Sequence, residues 1–251
     1  MEQLPCGRRV AFFGGSFDPP HLGHLAVARA ARAALALDTV LFAPVGVQPL
    51  KPQGSTAGFE DRLAMTRLAI AGEPDFFVSL ADAPKPSTAP NFTLDTLLDL
   101  RTQLPPDGAL FCLMGADAFF GLRRWRRSAE IPFVAPLIVA SRPGQQLEGL
   151  KAVLPQGLTM ESAPGADLTV PEVPGSAGEV RSFLLHNPAG DTAQFYLLPG
   201  LNVEISASQV RDEIRDQIRN QVRAPSGSPI ASHQFLPNAV FDYIRARGLY
   251  R

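Results

Sequence analysis

Near its amino terminus the sequence places a short apolar run, a glycine pair, a helix-forming stretch and a second apolar run in succession. The first run, 8–13, stops at Gly14–Gly15, as a buried strand does when it ends in a tight turn. The stretch 22–37 is rich in Ala and Leu, which are strong helix formers. The run 39–43, closed by Pro44, predicts a second strand. Two strands joined through a helix need a crossover connection, so this order predicts a parallel pair.

The same alternation continues along the chain. It predicts helices over 60–71 and 93–104 and strands over 76–80, 110–114 and 133–140. Regular structure is expected again over 195–198 and 202–205, and further helices over 208–222 and 237–247, the last ended by Gly248. Repeated alternation of this kind predicts an α/β fold with a doubly wound parallel sheet of the Rossmann-like type.

A chain of 251 residues is expected to form a single domain, 1–251, with one core. Residues 143–195 carry several prolines and glycines that interrupt any long regular element. We therefore expect 143–195 to be an insertion within that domain.

Composition excludes several classes of protein. A formal net charge of -1 argues against nucleic acid as a partner, because duplex binding needs many Lys and Arg side chains. No apolar stretch approaches the roughly 18 residues of a membrane span, and the amino terminus resembles no secretory signal, so we expect a cytoplasmic protein with no membrane partner. Cys6 and Cys112 are too few for a disulfide framework, and we expect both to be reduced, with Cys112 in the core. The basic run 123–127 marks either a phosphate contact or a solvated helix end.

The segment Gly14–His24 has the composition of a phosphate cradle. Its glycines let the backbone approach a ligand, and the helix that follows offers unpaired amide donors to an anion. His21 and His24 lie on one face if the first turn is helical, so both imidazoles can approach the same phosphate chain. The alternatives are a metal pair, which lacks further ligands because His186 and His233 lie elsewhere, and a purely structural pair.

This segment resembles the GGSFDPPHxGH signature of the nucleotidyltransferase superfamily, and it is most similar to the bacterial nicotinate-nucleotide adenylyltransferases. Further resemblances follow in the order expected of that family: Lys51, the segments 90–96, 115–117 and 205–211, and Trp125. The resemblance covers about residues 8–142 and 196–250. Phe92 stands where the family usually has Tyr.

The resemblance implies adenylyl transfer from ATP to the phosphate of a pyridine mononucleotide, nicotinate mononucleotide first of all, in NAD biosynthesis. It assigns catalysis to His21, His24, Lys51 and Arg211. It assigns ATP binding to Gly14, Gly15, Ser16, Phe17, His21, His24, Ser206, Ser208 and Arg211. It assigns the pyridine nucleotide to Thr93, Asp117 and Trp125.

Each of the less specific assignments has a structural alternative. Ser208 is also a favoured residue for a helix N-cap, Asp117 for a turn, and a lone Trp125 for a core. Mg²⁺ is expected as a cofactor that accompanies ATP, with no dedicated protein ligands. Homo-oligomers are common among small enzymes, but the sequence fixes no copy number.

Three other functions compete with this one. Nicotinamide mononucleotide, or another small phosphate ester, is the nearest alternative substrate. The segment His21–His24 also resembles the HIGH motif of class I aminoacyl-tRNA synthetases, but the chain has no KMSKS-like segment. A nucleotide-binding protein without activity is the third alternative.

Overall fold

The protein is described by a computed structural model that covers residues 7–51, 53–141, 147–163, 180–198, 205–222 and 233–251. Its strands are β1 (Arg9–Gly15), β2 (Thr39–Pro44), β3 (Phe76–Val78), β4 (Ala109–Gly115), β5 (Leu137–Ala140), β6 (Thr159–Ser162), β7 (Arg181–His186) and β8 (Thr192–Leu198). Its α-helices are α1 (Leu22–Leu35), α2 (Phe59–Ile70), α3 (Thr93–Gln103), α4 (Ala116–Phe120), α5 (Ile131–Val134), α6 (Leu147–Ala152), α7 (Ala207–Val222) and α8 (Asn238–Arg247). None of the helices within these ranges is long and apolar enough to cross a membrane.

The strands form one eight-stranded sheet in the order β3-β2-β1-β4-β5-β8-β7-β6. All pairs from β3 across to β8 are parallel, which confirms the predicted doubly wound α/β fold. The outer strands β7 and β6 are antiparallel to their neighbours, a feature that was not predicted. A short turn at 187–191, with Gly190 at φ 88, joins β7 to β8, and so short a connection permits only an antiparallel pair.

The sheet is buried on both faces, as expected of parallel strands covered by helices. Along β1, Ala11 and Phe13 belong to a cluster packed with α1, α7 and α8, whereas Val10 and Phe12 belong to a cluster packed with α3 and α5. The parallel pairing of β1 with β2 and β4 places its glycine turn at the carboxyl edge of the sheet.

One sequence prediction is wrong, and two others fall largely or wholly outside the described residues. The run 133–140 is not one strand: Pro132 lies in the first turn of α5, where proline favours a helix, and β5 begins only at Leu137. The segment 202–205, for which regular structure was expected, lies outside the described residues except for Ile205, which is in neither helix nor strand. Cys6 also lies outside them, and Cys112 is buried as a free thiol, as predicted.

The stretch 143–195 contributes α6, β6, β7 and the start of β8 to the same sheet. The view of this stretch as an insertion within a single domain stays a prediction. Gly248 ends α8 with φ 62, the left-handed conformation that was expected of it.

Candidate active site

A cavity of about 850 Å³ opens at the carboxyl ends of the parallel strands, where open α/β sheets bind ligands. The residues predicted from sequence to form the site all line it: Gly14, Gly15, Ser16, Phe17, His21, His24, Lys51, Thr93, Asp117, Trp125, Ser206, Ser208 and Arg211. The fold therefore brings together side chains that are almost 200 positions apart in the sequence, and Arg211 shares the cavity with His21 and His24.

The histidine pair sits at the start of α1, directly after the glycine turn. The rings of His21 and His24 stack with centroids 3.7 Å apart, and the edge of Phe17 packs against His24 at 5.0 Å. The backbone N–H of His21 donates to Nδ1 of His24 at 3.1 Å. An acceptor nitrogen carries no proton, so a neutral His24 has its proton on Nε2. The spacing expected of one helical face is thus realised, with His21 just before the first turn and His24 within it.

Both imidazoles are neutral in the free protein near pH 7. Burial lowers the pKa of His21 to about 4. Burial, reinforced by the neighbouring His21, lowers the pKa of His24 well below its usual value. The two side chains therefore line the cavity as neutral N–H donors. Any positive charge in the cavity near pH 7 comes from Lys or Arg side chains.

That charge is supplied by Lys51 and Arg211. Lys51 Nζ donates to Ser16 Oγ at 3.1 Å, and partial burial lowers its pKa even though the carboxylate of Asp18 acts in the opposite direction. Arg211 donates from Nη1 to the carbonyl of Asp18 at 2.7 Å and from Nη2 to Ser208 Oγ at 3.0 Å. Both cations are thus tied to the loop that leaves β1 or to the first turn of α7.

The helix α7 is capped by Ser206 and not by Ser208. Ser206 Oγ accepts from the backbone N–H of Gln209 at 3.2 Å, and the Gln209 side chain accepts from the Ser206 N–H at 3.0 Å. This reciprocal pair is a capping box. The N-cap alternative weighed for Ser208 is therefore wrong, and its hydroxyl instead orients Arg211.

The cavity is also lined by the start of α3, the start of α4 and Trp125. Thr93 begins α3, and no side chain in the described part of the protein caps that helix, so its first N–H groups are available to an anion. Asp117 is exposed in the first turn of α4. Trp125 is half-buried: it lines the cavity and also packs on the core, so its two interpretations coexist.

The arginines of the basic run 123–127 differ in their surroundings: two make structural or surface contacts, and two line the cavity. Arg123 donates to the carbonyl of Leu154, and Arg127 pairs with Glu130, so these two make structural or surface contacts. Arg124 and Arg126 line the cavity. Arg126 lies over the ring of Phe92 at 4.6 Å and pairs with Asp95 at 3.2 Å.

Sequence reasoning missed four buried residues that organise the site. Asp18, Arg62, Asp82 and Tyr250 are each at most 6 % exposed. Burial raises the pKa of Asp82, whose carboxylate accepts a hydrogen bond from Thr96 Oγ1 and lines the cavity floor. Asp18 could have been found because it lies within the recognised segment. The other three carry no local signal.

The chain is similar in sequence to known proteins. Residues 12–213 match the model of the cytidylyltransferase-like family. A "Probable nicotinate-nucleotide adenylyltransferase" of Roseiflexus sp. strain RS-1 is 36% identical over 251 residues, which is 100% of each chain. A protein of the same name from Thermus thermophilus is 40% identical over 173 residues, covering 69% of this chain and 84% of its own length.

A solved structure gives a further comparison. Plasmodium falciparum nicotinic acid mononucleotide adenylyltransferase, complexed with NaAD, matches with a TM-score of 0.63 over 97% of both chains at 15% identity. At that identity the likeness bears on the fold alone.

Proposed function

This chain belongs to the cytidylyltransferase-like family and, within it, to the nicotinate-nucleotide adenylyltransferases, and we propose that it joins ATP to nicotinate mononucleotide. The products are nicotinate adenine dinucleotide and pyrophosphate, and the reaction is a step of NAD biosynthesis. One observation carries the proposal: the residues expected to handle the triphosphate and those expected to hold the pyridine nucleotide line a common cavity.

In the reaction, an oxygen of the mononucleotide phosphate forms a bond to the α-phosphorus of ATP. The bond from that phosphorus to the oxygen bridging to the β-phosphate breaks, and its electron pair leaves with pyrophosphate. A phosphate monoester is already largely dianionic at neutral pH, because its second pKa is about 6. The nucleophile therefore needs no protein base, and the enzyme acts by positioning and by stabilising charge.

The phosphate side of the cavity supports these two tasks. We assign the Nε2 proton of His24 to the oxygen that gains charge in the transition state, and His21 to a neighbouring phosphate oxygen. Lys51 and Arg211 supply the positive charge that the neutral imidazoles lack, and the forked guanidinium can bind two oxygens at once. Gly14, Gly15, Ser16, Phe17, Ser206 and Ser208 complete the ATP side.

The pyridine side offers an aromatic surface and an anion site. We assign the ring to Trp125, and the carboxylate to Thr93 and the free N–H groups at the start of α3. Asp117, in the first turn of α4, is assigned to the nucleotide. An amide in place of the carboxylate loses the charge attraction at α3, which favours nicotinate over nicotinamide mononucleotide.

Mg²⁺ is proposed to enter with ATP, held by phosphate oxygens and water. In the described parts of the chain no group of three or more His, Cys, Asp or Glu side chains could hold a metal ion by itself. When bound, the ion neutralises charge on the phosphates.

The test is a direct assay with ATP and Mg²⁺ and either nicotinate or nicotinamide mononucleotide as acceptor. We expect a clear preference in kcat/KM for nicotinate mononucleotide. A stronger preference for nicotinamide mononucleotide or for another phosphate ester would reject this substrate. A cytoplasmic location and self-association stay predictions.

A further inference from the structure

Asp18 is a buried carboxylate in the loop that leaves β1, and both of its oxygens accept hydrogen bonds from the protein. Oδ2 accepts from the backbone N–H of Thr56 at 2.6 Å. Oδ1 accepts from the N–H of Ala57 at 3.1 Å and from the hydroxyl of Tyr250 at 2.7 Å. These bonds make Asp18 a point at which the segment 56–57 and the carboxyl terminus meet the loop after β1, at the lining of the cavity.

The same residue holds the guanidinium of Arg211. Its carbonyl oxygen accepts from Arg211 Nη1 at 2.7 Å, and its carboxylate lies 4.0 Å from that nitrogen. Ser208 Oγ accepts from Nη2. A guanidinium has more N–H donors than these bonds use, so Arg211 can bind phosphate while it stays anchored to Asp18. The position of Asp18 therefore sets the position of Arg211.

A buried cation, Arg62, also binds this loop. Arg62, in α2, is 2 % exposed and donates to the carbonyls of Ser16 at 2.7 Å, Val45 at 2.8 Å and Ala57 at 3.2 Å. Its bonds hold the backbone at Ser16, two residues before Asp18, and at Ala57, whose N–H binds the Asp18 carboxylate, but Arg62 makes no described hydrogen bond to that carboxylate.

The remaining side-chain donor to Asp18 is Tyr250, which follows α8. Its side chain is buried, with 6 % of the residue exposed, and its backbone is left-handed at φ 64. Burial and the adjacent Asp18 carboxylate raise the pKa of Tyr250, which favours the protonated hydroxyl that donates to Asp18. The two groups are 232 positions apart in the sequence.

We propose that Tyr250 is a positioning residue for ATP: its hydroxyl holds Asp18, and Asp18 in turn holds Arg211 in the orientation that receives the triphosphate. The proposal rests on the proposed function, because it takes Arg211 to be a phosphate ligand. Tyr250 touches no reacting atom in this arrangement.

The variant Tyr250→Phe removes the hydroxyl and keeps the ring. Its matched control is Tyr243→Phe, since Tyr243 in α8 makes an equivalent bond to Asp61 at 2.9 Å and is absent from the described lining of the cavity. We expect Tyr250→Phe to weaken ATP binding, measured by calorimetry, and to lower kcat/KM for ATP by about tenfold. KM for the mononucleotide should change less than twofold, and Tyr243→Phe should leave both substrates unaffected.

A merely structural role would lower the melting temperature of both variants without separating the two substrates. Equal ATP constants for the two variants, measured at a temperature where both are folded, would overturn the proposal. The double variant Tyr250→Phe with Arg211→Lys gives a second measurement. If Tyr250 acts through Arg211, the double variant binds ATP no more weakly than Arg211→Lys alone, whereas independent effects would multiply.

The calorimetric measurement of ATP binding tests the role of Tyr250 independently of the proposed reaction. A wild-type protein that binds ATP but transfers no adenylyl group would reject the proposed function, and the calorimetric comparison would still decide the role of Tyr250.

Discussion

The imidazole rings of His21 and His24 lie stacked, with 3.7 Å between their centroids and 29° between their planes. The bond from the His21 N–H occupies Nδ1 of His24, which leaves the Nε2 proton of His24 for a ligand. An anionic phosphate ligand would suggest two positively charged imidazoles, but burial lowers both pKa values and leaves a pair of neutral hydrogen-bond donors.

His24→Ala removes this donor, and we expect kcat to fall about a hundredfold to a thousandfold, the usual cost of losing one transition-state donor. His24→Gln should retain more activity than His24→Asn, because the Gln amide nitrogen reaches nearer to the place of Nε2. His186→Ala, on β7 and outside the described cavity lining, is the control. Turnover of His24→Ala at the wild-type level would remove His24 from the mechanism.

The low pKa of His21 makes stability depend on pH. Its pKa is about 4 in the folded protein and about 6.5 in the unfolded chain, so the unfolded chain binds more protons between these values. The free energy of unfolding should therefore be highest above pH 6.5 and should fall as pH falls towards 4, by up to ~3 kcal/mol from this group. Urea denaturation of the wild type and of His21→Asn at several pH values measures this pH dependence. Parallel pH curves for the two proteins would contradict it.

Arg211→Lys should weaken ATP binding by roughly tenfold or more, because an ammonium cannot copy a forked contact that bridges Asp18 and a phosphate. The control is Arg215→Lys on the same helix, where Arg215 pairs only with Asp212 at 2.5 Å among its described salt-bridge partners. Calorimetric titration with ATP measures both variants. An equal loss in both would indicate a general effect on α7.

Trp125 is the single tryptophan of the chain, so its fluorescence reports on one place. Nicotinate mononucleotide should change this emission in a saturable manner if its ring stacks on the indole. Trp125→Ala should raise KM for the mononucleotide by about tenfold and leave KM for ATP unchanged. Phe120→Ala, a half-exposed aromatic near the same turn, is the matched control. A rise in KM for ATP alone would place the indole on the other substrate.

Gly14 cannot take a side chain without disturbing the core. A Cβ at this position would lie 2.7 Å from Cζ of Phe12, a ring that is almost fully buried. Gly14→Ala should therefore cost about 1–3 kcal/mol of unfolding free energy, as overpacking commonly does. At Gly115 nothing lies within 4 Å of such a Cβ, so Gly115→Ala should cost less than about 1 kcal/mol. Similar melting temperatures for both variants would show that Phe12 yields easily.

The part of this site at the start of α1 could be predicted from sequence because its chemistry is local, whereas the distant Lys51, Trp125 and Arg211 were found through the family resemblance. The glycine turn, the histidine pair and the start of α1 are neighbours in the chain, and the spacing between His21 and His24 fixes their contact once the helix begins. The parallel strands could be predicted for the same reason, since each buried strand is a short apolar run bounded by turn residues.

The contacts that hold the site could not be predicted, because they join residues that are far apart. Nothing near Tyr250 or Arg62 indicates that each ends at the loop of Asp18. The local sequence was also misleading at the start of α7, where two residues suit the same role of N-cap. Ser206 and Ser208 are both good caps, and only the reciprocal bonds with Gln209 decide between them.

The described part of the stretch 147–198 contributes nothing to the lining of the cavity, although it extends the sheet through β6, β7 and β8. The turn between β7 and β8 is exposed from Pro188 to Asp191. The outer strands thus enlarge the sheet without contributing to the cavity. We expect residues to be inserted at the β7–β8 turn, or a label or surface tether attached there, without a change in the active site.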